Sequence, residues 1–370
     1  MRILHIASFL GNIGDNFNHL GTRSLLEDEI GDIKWTTLEI RETFRGLYSF
    51  NDEFANHCNT FDAVIFGGGN FFELWVDRSV NNTSVDIPFE VLAKIHVPFY
   101  FYALGVDPGM GVSERGIQKF SDWVRFVNKQ SNLHLSVRND GAYSTLSSLF
   151  DRTVADSFKR LLDGGFLVKS DQFNLVEHQP DVKFIGINIA GDMLDIRFND
   201  EMRYEEFILE FARLLEDFLI ENTVYQVILL PHIFRDLRVI SDLLELLDDK
   251  IRRERIRISP LEQDNTGMLR LVEEYNKCEI ILGNRFHSNV IGLILEKDLF
   301  GMYNYRQIKY LFDELGLQNY YDIRTKNGLS ALFTALANHI NEPLKNLGVS
   351  REFLDRGRLD ALEFFRGLTN

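Results

Sequence analysis

Cysteine is scarce. The 370-residue chain has two, Cys58 and Cys278, far apart and at no spacing that suggests a shared ligand, so neither a zinc signature nor a disulfide framework is present. Positive charge is also short: 40 Lys and Arg stand against 55 Asp and Glu, a formal net charge of −15. That balance argues against a general nucleic-acid binder, although a local Arg/His pocket inside an acidic surface can still take an anionic substrate. No apolar run approaches the roughly 20 residues needed to cross a bilayer. The chain opens on a strand-like run at residues 3–9 without a signal-peptide apolar region. The expected compartment is therefore the cytoplasm, with at most peripheral membrane association. The sequon stretch Asn81-Asn82-Thr83-Ser84 reads as no more than part of a polar surface loop over residues 77–86. The six-residue dinucleotide fingerprint is missing, so NAD is not indicated. Low-complexity segments and metal-ligand clusters are missing as well: no metal and no cofactor are expected.

What is present is a soluble composition, 45% hydrophobic and 26% charged, with 31 phenylalanines for large cores. The length suggests two domains. Buried-strand runs alternate with helical patterns, which implies parallel sheets covered on both faces. In the first half the strands are expected at residues 3–9, 35–40, 63–66, 99–104 and 133–137, with helices at 17–29, 113–127 and 141–149. A linker is expected over residues 163–181. The second series has strands at 184–189, 225–230, 256–258, 280–282 and 299–302. Its helices are expected at 204–220, 237–247, 266–276, 308–315, 329–340 and 351–365.

Glycine-bearing turns follow several of these strands. Asn12, Gly14 and Asp15 lie after the first, and Gly67-Gly68-Gly69-Asn70 after the third, where three glycines allow a phosphate or sugar to approach bare backbone N–H groups. The fifth strand delivers Arg138 and Asp140 to a loop, and a strand in the second series ends in Pro231-His232. The densest stretch is 278–295. A buried strand breaks at Gly283 and Asn284, Arg285 and His287 follow, and a helix is expected from Val290. In an open α/β sheet such a turn is where ligands bind. Arg285 offers a planar guanidinium and His287 a group that carries a proton near neutral pH. The helix start suits an anion. A loop-capping arginine and a core histidine would explain the same residues.

Taken in order, Asn12-x-Gly14-Asp15, the glycine triplet, Val137-Arg138, Pro231-His232 and above all Gly283-x-Arg285-x-His287 resemble the polysaccharide pyruvyl transferase family over about residues 1–320. The chain departs from the family pattern where Asn139 separates Arg138 from Asp140, where Asn70 follows the triplet, and where neither Arg306 nor Lys309 takes the place of a usual lysine. The resemblance implies two Rossmann-like domains facing a cleft, GT-B-like. The boundaries expected from it are 1–165 on the acceptor side, 181–345 on the donor side, and a C-terminal helix over 346–370 packing across the domains. It implies transfer of the enolpyruvyl unit of phosphoenolpyruvate, a co-substrate, onto two hydroxyls of a sugar as a ketal. Arg285 and Arg138 would hold the donor, His287 would supply the proton, and Asn12, Gly14, Asp15, Gly67, Gly68, Gly69, Asn70 and His232 would line the substrate site. The partners in view are phosphoenolpyruvate, a sugar acceptor on a lipid or nucleotide carrier, and a second copy of the chain in a homo-oligomer; nucleic acid is not among them. The alternative is a nucleotide-sugar-dependent glycosyltransferase or epimerase on the same scaffold, against which stands the lack of a clear Glu-x₇-Glu ribose pattern.

Overall fold

A computed structural model describes residues 1–109, 111–173, 175, 182–199, 201–343 and 348–369. The chain divides into two compact units. Unit 1 holds residues 1–10, 18–168 and 351–369, and unit 2 holds residues 11–17 and 169–350. Met110 and the Pro180 end of the expected linker lie outside the described residues, as do residues 346 and 347.

Among the described residues unit 1 carries eight strands: β1 (Arg2–Ala7), β2 (Lys34–Glu39), β3 (Ala63–Gly67), β4 (Phe72–Glu73), β5 (Phe99–Leu104), β6 (Val106–Asp107), β7 (Leu133–Val137) and β8 (Lys159–Arg160). Six form a parallel sheet in the order β2-β1-β3-β5-β7-β8, and β4 pairs with β6 in a small second sheet. Strand alternation sorts the side chains. Phe99 and Phe101 join Leu4, Ile6, Val64 and Phe66 in one core, with Phe120 and Trp123 of the helix Glu114–Val127. Tyr100 and Tyr102 point the other way, to Ile3, Ile65 and Phe365. The C-terminal helix Arg351–Phe364 thus belongs to the unit 1 core through Ala361 and the following Phe365.

Unit 2 contributes β9 (Lys183–Asn188), β10 (Tyr225–Leu229), β11 (Ile256–Ile258), β12 (Ile280–Gly283), β13 (Asp298–Tyr303) and β14 (Tyr320–Asp322). They form a second parallel sheet, ordered β11-β10-β9-β12-β13-β14. The helices Tyr204–Glu221 and Lys326–Asn341 bury Phe207, Phe211, Leu329 and Phe333 against Ile185, Ile187, Leu282 and Phe300. The strand order reverses between β9 and β12. Such a switch point leaves a crevice at the carboxyl ends of the strands, where open α/β sheets bind ligands.

Several expectations need correction. The stretch 77–86 is not a surface loop: Ser79, Asn81, Asn82, Thr83 and Ser84 are all buried. Their polarity serves internal bonding. Asn81 Oδ1 accepts from Thr83 N and Thr83 Oγ1, Asn81 Nδ2 donates to Val85 O, and Asn82 Nδ2 donates to Leu74 O. The expected linker likewise starts inside unit 1, with Asp163, Gly164 and Phe166 buried. The first helix runs Ile13–Ile30, four residues earlier than its apolar pattern begins. The helix after β12 begins at Phe286, so His287 lies in its first turn and not in a loop.

Candidate active site

The proposed site residues fall into two sets, one per unit. In unit 2, Asn188 and Asn284 stand at the carboxyl ends of the two switch-point strands. Asn188 Oδ1 accepts the backbone N–H of Arg285 at 3.0 Å. Asn284 Oδ1 accepts from Ala190 N, and its Nδ2 donates to Met302 O and Asn304 Oδ1. These bonds pin the turn that carries Arg285.

The Arg285 guanidinium is held on one full edge. Nε donates to Asp236 Oδ2 at 2.9 Å and Nη2 to Asp236 Oδ1, with a further bond from Nη2 to Asp192 Oδ1 at 2.6 Å. Burial would lower its pKa, but the two carboxylates outweigh burial and raise it, so it stays a cation. Burial pushes Asp192 up while Arg285 and Arg197 pull it below the usual carboxylate range. Arg197, itself buried, donates to Asp192 O and Asn304 Oδ1. Among the described residues Nη1 of Arg285 makes no hydrogen bond, and the residue keeps 9% of its surface exposed. The edge a bidentate ligand would take is thus filled by Asp236, and Nη1 is the donor left over.

His287 is 4% exposed. Its Nδ1 lies 3.8 Å from Asp15 Oδ1, an ion-pair distance. Gly14 makes the approach possible: a Cβ there would stand 2.4 Å from the His287 Cβ. Asn12 shapes this segment by accepting Gly14 N on its side chain and Asp15 N on its carbonyl, and Ile13 N donates to His232 O. Asn12, Gly14, Asp15, His232, Arg285 and His287 therefore share one neighbourhood. His232 is fully buried. Its backbone N–H and that of Ile233 donate to Asp236 Oδ2. Its Nε2 lies 2.8 Å from Tyr275 Oη, which donates to Ser288 Oγ, and among the described residues its Nδ1 has no partner. Burial first, then Arg285, push the His232 pKa down to about 3; it is neutral.

In unit 1, Arg138 donates from Nε to Asp140 Oδ2 at 2.7 Å and from Nη1 to Asp163 Oδ2 at 3.2 Å. Asp163 also accepts from Asn18 Nδ2 and Gly165 N. Burial holds the Asp140 pKa above the usual range even beside Arg138. Gly105 leaves room for this cluster, since a Cβ there would stand 2.5 Å from Asn70 Oδ1 and 2.9 Å from Arg138 Nη2. The close approaches at Gly67, Gly68 and Gly69 are made by the protein itself: Tyr102 O, the side chains of His19 and Asn18, and the Phe71 ring.

Sequence reasoning missed Asp192, Arg197, Asn188, Asn284, Tyr275 and Ser288. Asn188 and Asn284 carried a usable signal, a lone amide closing an otherwise apolar strand. Asp192 comes from the loop after β9, and Arg197, Tyr275 and Ser288 sit within helices; none of the four carried a local signal. Among the described residues, no group of three or more His, Cys, Asp or Glu is placed to hold a metal ion, and no helix is long and apolar enough to cross a membrane.

The family model described as polysaccharide pyruvyl transferase matches residues 12–305. The chain belongs to the polysaccharide pyruvyl transferase family. No curated protein matches it in sequence. Solved structures place this transferase among GT-B-like folds. A UDP-GlcNAc 2-epimerase from Neisseria meningitidis has a TM-score of 0.57 at 11% identity, over 99% of this chain and 100% of that one. The Methanocaldococcus jannaschii UDP-GlcNAc 2-epimerase gives 0.53 at 15%, over 100% and 99%. A glycosyltransferase from Rickettsia africae gives 0.55 at 10%, over 100% and 95%. At these identities the likeness is one of fold. The matched span includes Arg285 and His287 at the switch point.

Proposed function

We propose that this chain is a ketal-forming pyruvyl transferase that uses phosphoenolpyruvate and a sugar diol. The observation that carries the reading is the Arg285-Phe286-His287 turn at the switch point of unit 2, in a chain of this family. The reaction adds one proton to the methylene carbon of the enol phosphate. The cationic carbon so formed is attacked by one hydroxyl, phosphate departs, and the second hydroxyl closes the ring. Two hydroxyl protons are released; one balances the new methyl C–H and the other leaves on phosphate.

His287 is assigned the proton transfer, with Asp15 3.8 Å from its Nδ1 to orient the ring. Such a group contributes roughly 10²–10⁴-fold. Arg285 is assigned the donor's anionic groups through Nη1 and its fixed charge, since Asp236 and Asp192 remove its freedom to reorient. Arg138, held on both sides by carboxylates, is assigned to keeping the turn after β7 in shape. Asn12 and Gly14 position His287.

The test is phosphate release from phosphoenolpyruvate against a panel of acceptor glycans, with wild type and His287→Ala compared. The nucleotide-sugar reading has the shared fold behind it and nothing more specific. UDP-GlcNAc turnover without phosphate release from phosphoenolpyruvate is the result that would favour it.

A further inference from the structure

We propose that unit 2 carries a second binding site, for a diphosphate ester, in the cavity beside the carboxyl ends of β9 and β10. The cavity measures about 680 Å³, within the size range of small-molecule pockets and larger than a three-carbon donor fills. Arg203, Arg235 and Arg238 line it, against Asp195 and Glu205. Arg203 and Arg235 are the N-cap residues of the helices Tyr204–Glu221 and Asp236–Leu246, so two helix starts, which favour anions, stand at its wall.

These guanidiniums differ from that of Arg285. Arg235 is exposed and makes no ion pair or side-chain hydrogen bond among the described residues. Arg203 and Arg238 reach carboxylates only at 3.7 and 4.0 Å, with side chains 70% and 69% exposed. Three loosely held planar cations suit phosphate oxygens, which guanidinium binds in bidentate fashion.

The wall is also shaped in a way a plain surface loop does not need. Met193 sits at φ +55°, a left-handed conformation that is costly for a non-glycine residue and clusters at ligand sites. Gly191 has no room for a side chain, the Arg235 carbonyl oxygen standing 2.0 Å from where a Cβ would be. Between these two lining residues lies Asp192, the partner of Arg285, so the cavity adjoins the Arg285 cluster through one loop. A diphosphate ester with its sugar fits both the charge and the volume, and diphosphate is the linkage by which sugars are carried on nucleotides or polyprenols. The inference rests on the pyruvyl transferase reading, in which the carried sugar is the acceptor.

The test is calorimetric titration of the full-length protein at low salt with inorganic diphosphate, UDP and farnesyl diphosphate, for wild type, Arg235→Ala and the triple variant R203A/R235A/R238A. The expected result is one-to-one binding of inorganic diphosphate. Affinity should fall at least about tenfold in Arg235→Ala, the loss of a charged hydrogen bond, and vanish in the triple variant, with thermal midpoints unchanged because the side chains are exposed. Tighter UDP points to a nucleotide carrier, tighter farnesyl diphosphate to a polyprenol, and equality of all three to recognition of the diphosphate alone. No binding by wild type, or equal affinity in the variants, overturns the site. If diphosphate binds through these arginines while phosphoenolpyruvate releases no phosphate with any acceptor, the site stands and the ketal reading fails.

Discussion

Each unit buries an arginine between two aspartates at the carboxyl end of a parallel sheet, but the two clusters are closed to different degrees. In unit 1 the side chains of Asp140 and Asp163 are fully buried around Arg138. In unit 2 Asp236 is equally buried beside Arg285, while the Asp192 side chain keeps 21% of its surface. The pKa directions follow: burial dominates at Asp140 and raises it, whereas Arg285 and Arg197 dominate at Asp192 and lower it. The same residue types therefore make a closed cluster in one unit and one that meets water in the other. Residue type alone does not tell the two clusters apart; the exposure of the carboxylates does.

Substitutions should separate the two clusters, beginning with the turn that Arg285 opens. His287→Ala is expected to abolish ketal formation, a loss of about 10²–10⁴-fold for a proton-transfer group, while circular dichroism stays that of the wild type. Arg138→Ala should act on stability: removing one partner from a buried ion pair costs about 3–5 kcal/mol, read as a lowered urea midpoint. A midpoint equal to wild type would show that the unit 1 cluster is not a brace. Arg285→Lys should weaken phosphoenolpyruvate binding by about 1.5–3 kcal/mol, the range for a hydrogen bond to a charged group, because a point charge cannot hold Asp236 side-on and still present a fixed donor. Unchanged affinity by calorimetry would remove Arg285 from the donor site.

The effect that is smallest at neutral pH, and grows only on acidification, is on pH dependence. The folded-state pKa of His232 is about 3, against an ordinary 6.5, so the unfolded chain takes up the proton first as pH falls. Stability is then lost from pH 6.5 down toward 3 at about 1.4 kcal/mol per unit. His232→Gln should flatten that slope in acid unfolding titrations. Unit 1 holds groups of both signs: His5, held well below its ordinary value by burial, loses stability as pH falls below 6.5, while Asp140, raised by burial, gains it as pH falls from its folded value to the ordinary 3.8.

Much of this fold could be read from the sequence because its strands are apolar runs closed by glycine or asparagine. The runs at 63–66, 99–104 and 280–282 became β3, β5 and β12 nearly as expected. The two-residue strands β4, β6 and β8 and the three-residue β14 could not be read, since pairing with a neighbour and not local pattern makes them strands. The buried polar stretch 79–84 misled for a related reason: side chains that bond internally look the same in sequence as side chains that face water. At the site, Arg285 and His287 stood out as a pair two residues apart. Of their carboxylates Asp15 stood in the turn after the first strand, whereas Asp192, which arrives from the loop after β9, had no local signal, and no spacing tied any of them to this pair. Only folding makes them neighbours.

The central claim is that His287 protonates phosphoenolpyruvate held at the Arg285 turn. The most direct measurement is phosphate release from phosphoenolpyruvate in D₂O with a panel of acceptor glycans, followed by mass analysis of the product. The account predicts stoichiometric phosphate, a pyruvate ketal whose methyl carries one deuterium, and neither product with His287→Ala. Phosphate and deuterated ketal formed at the wild-type rate by His287→Ala would contradict it, as would no phosphate from wild type with any acceptor.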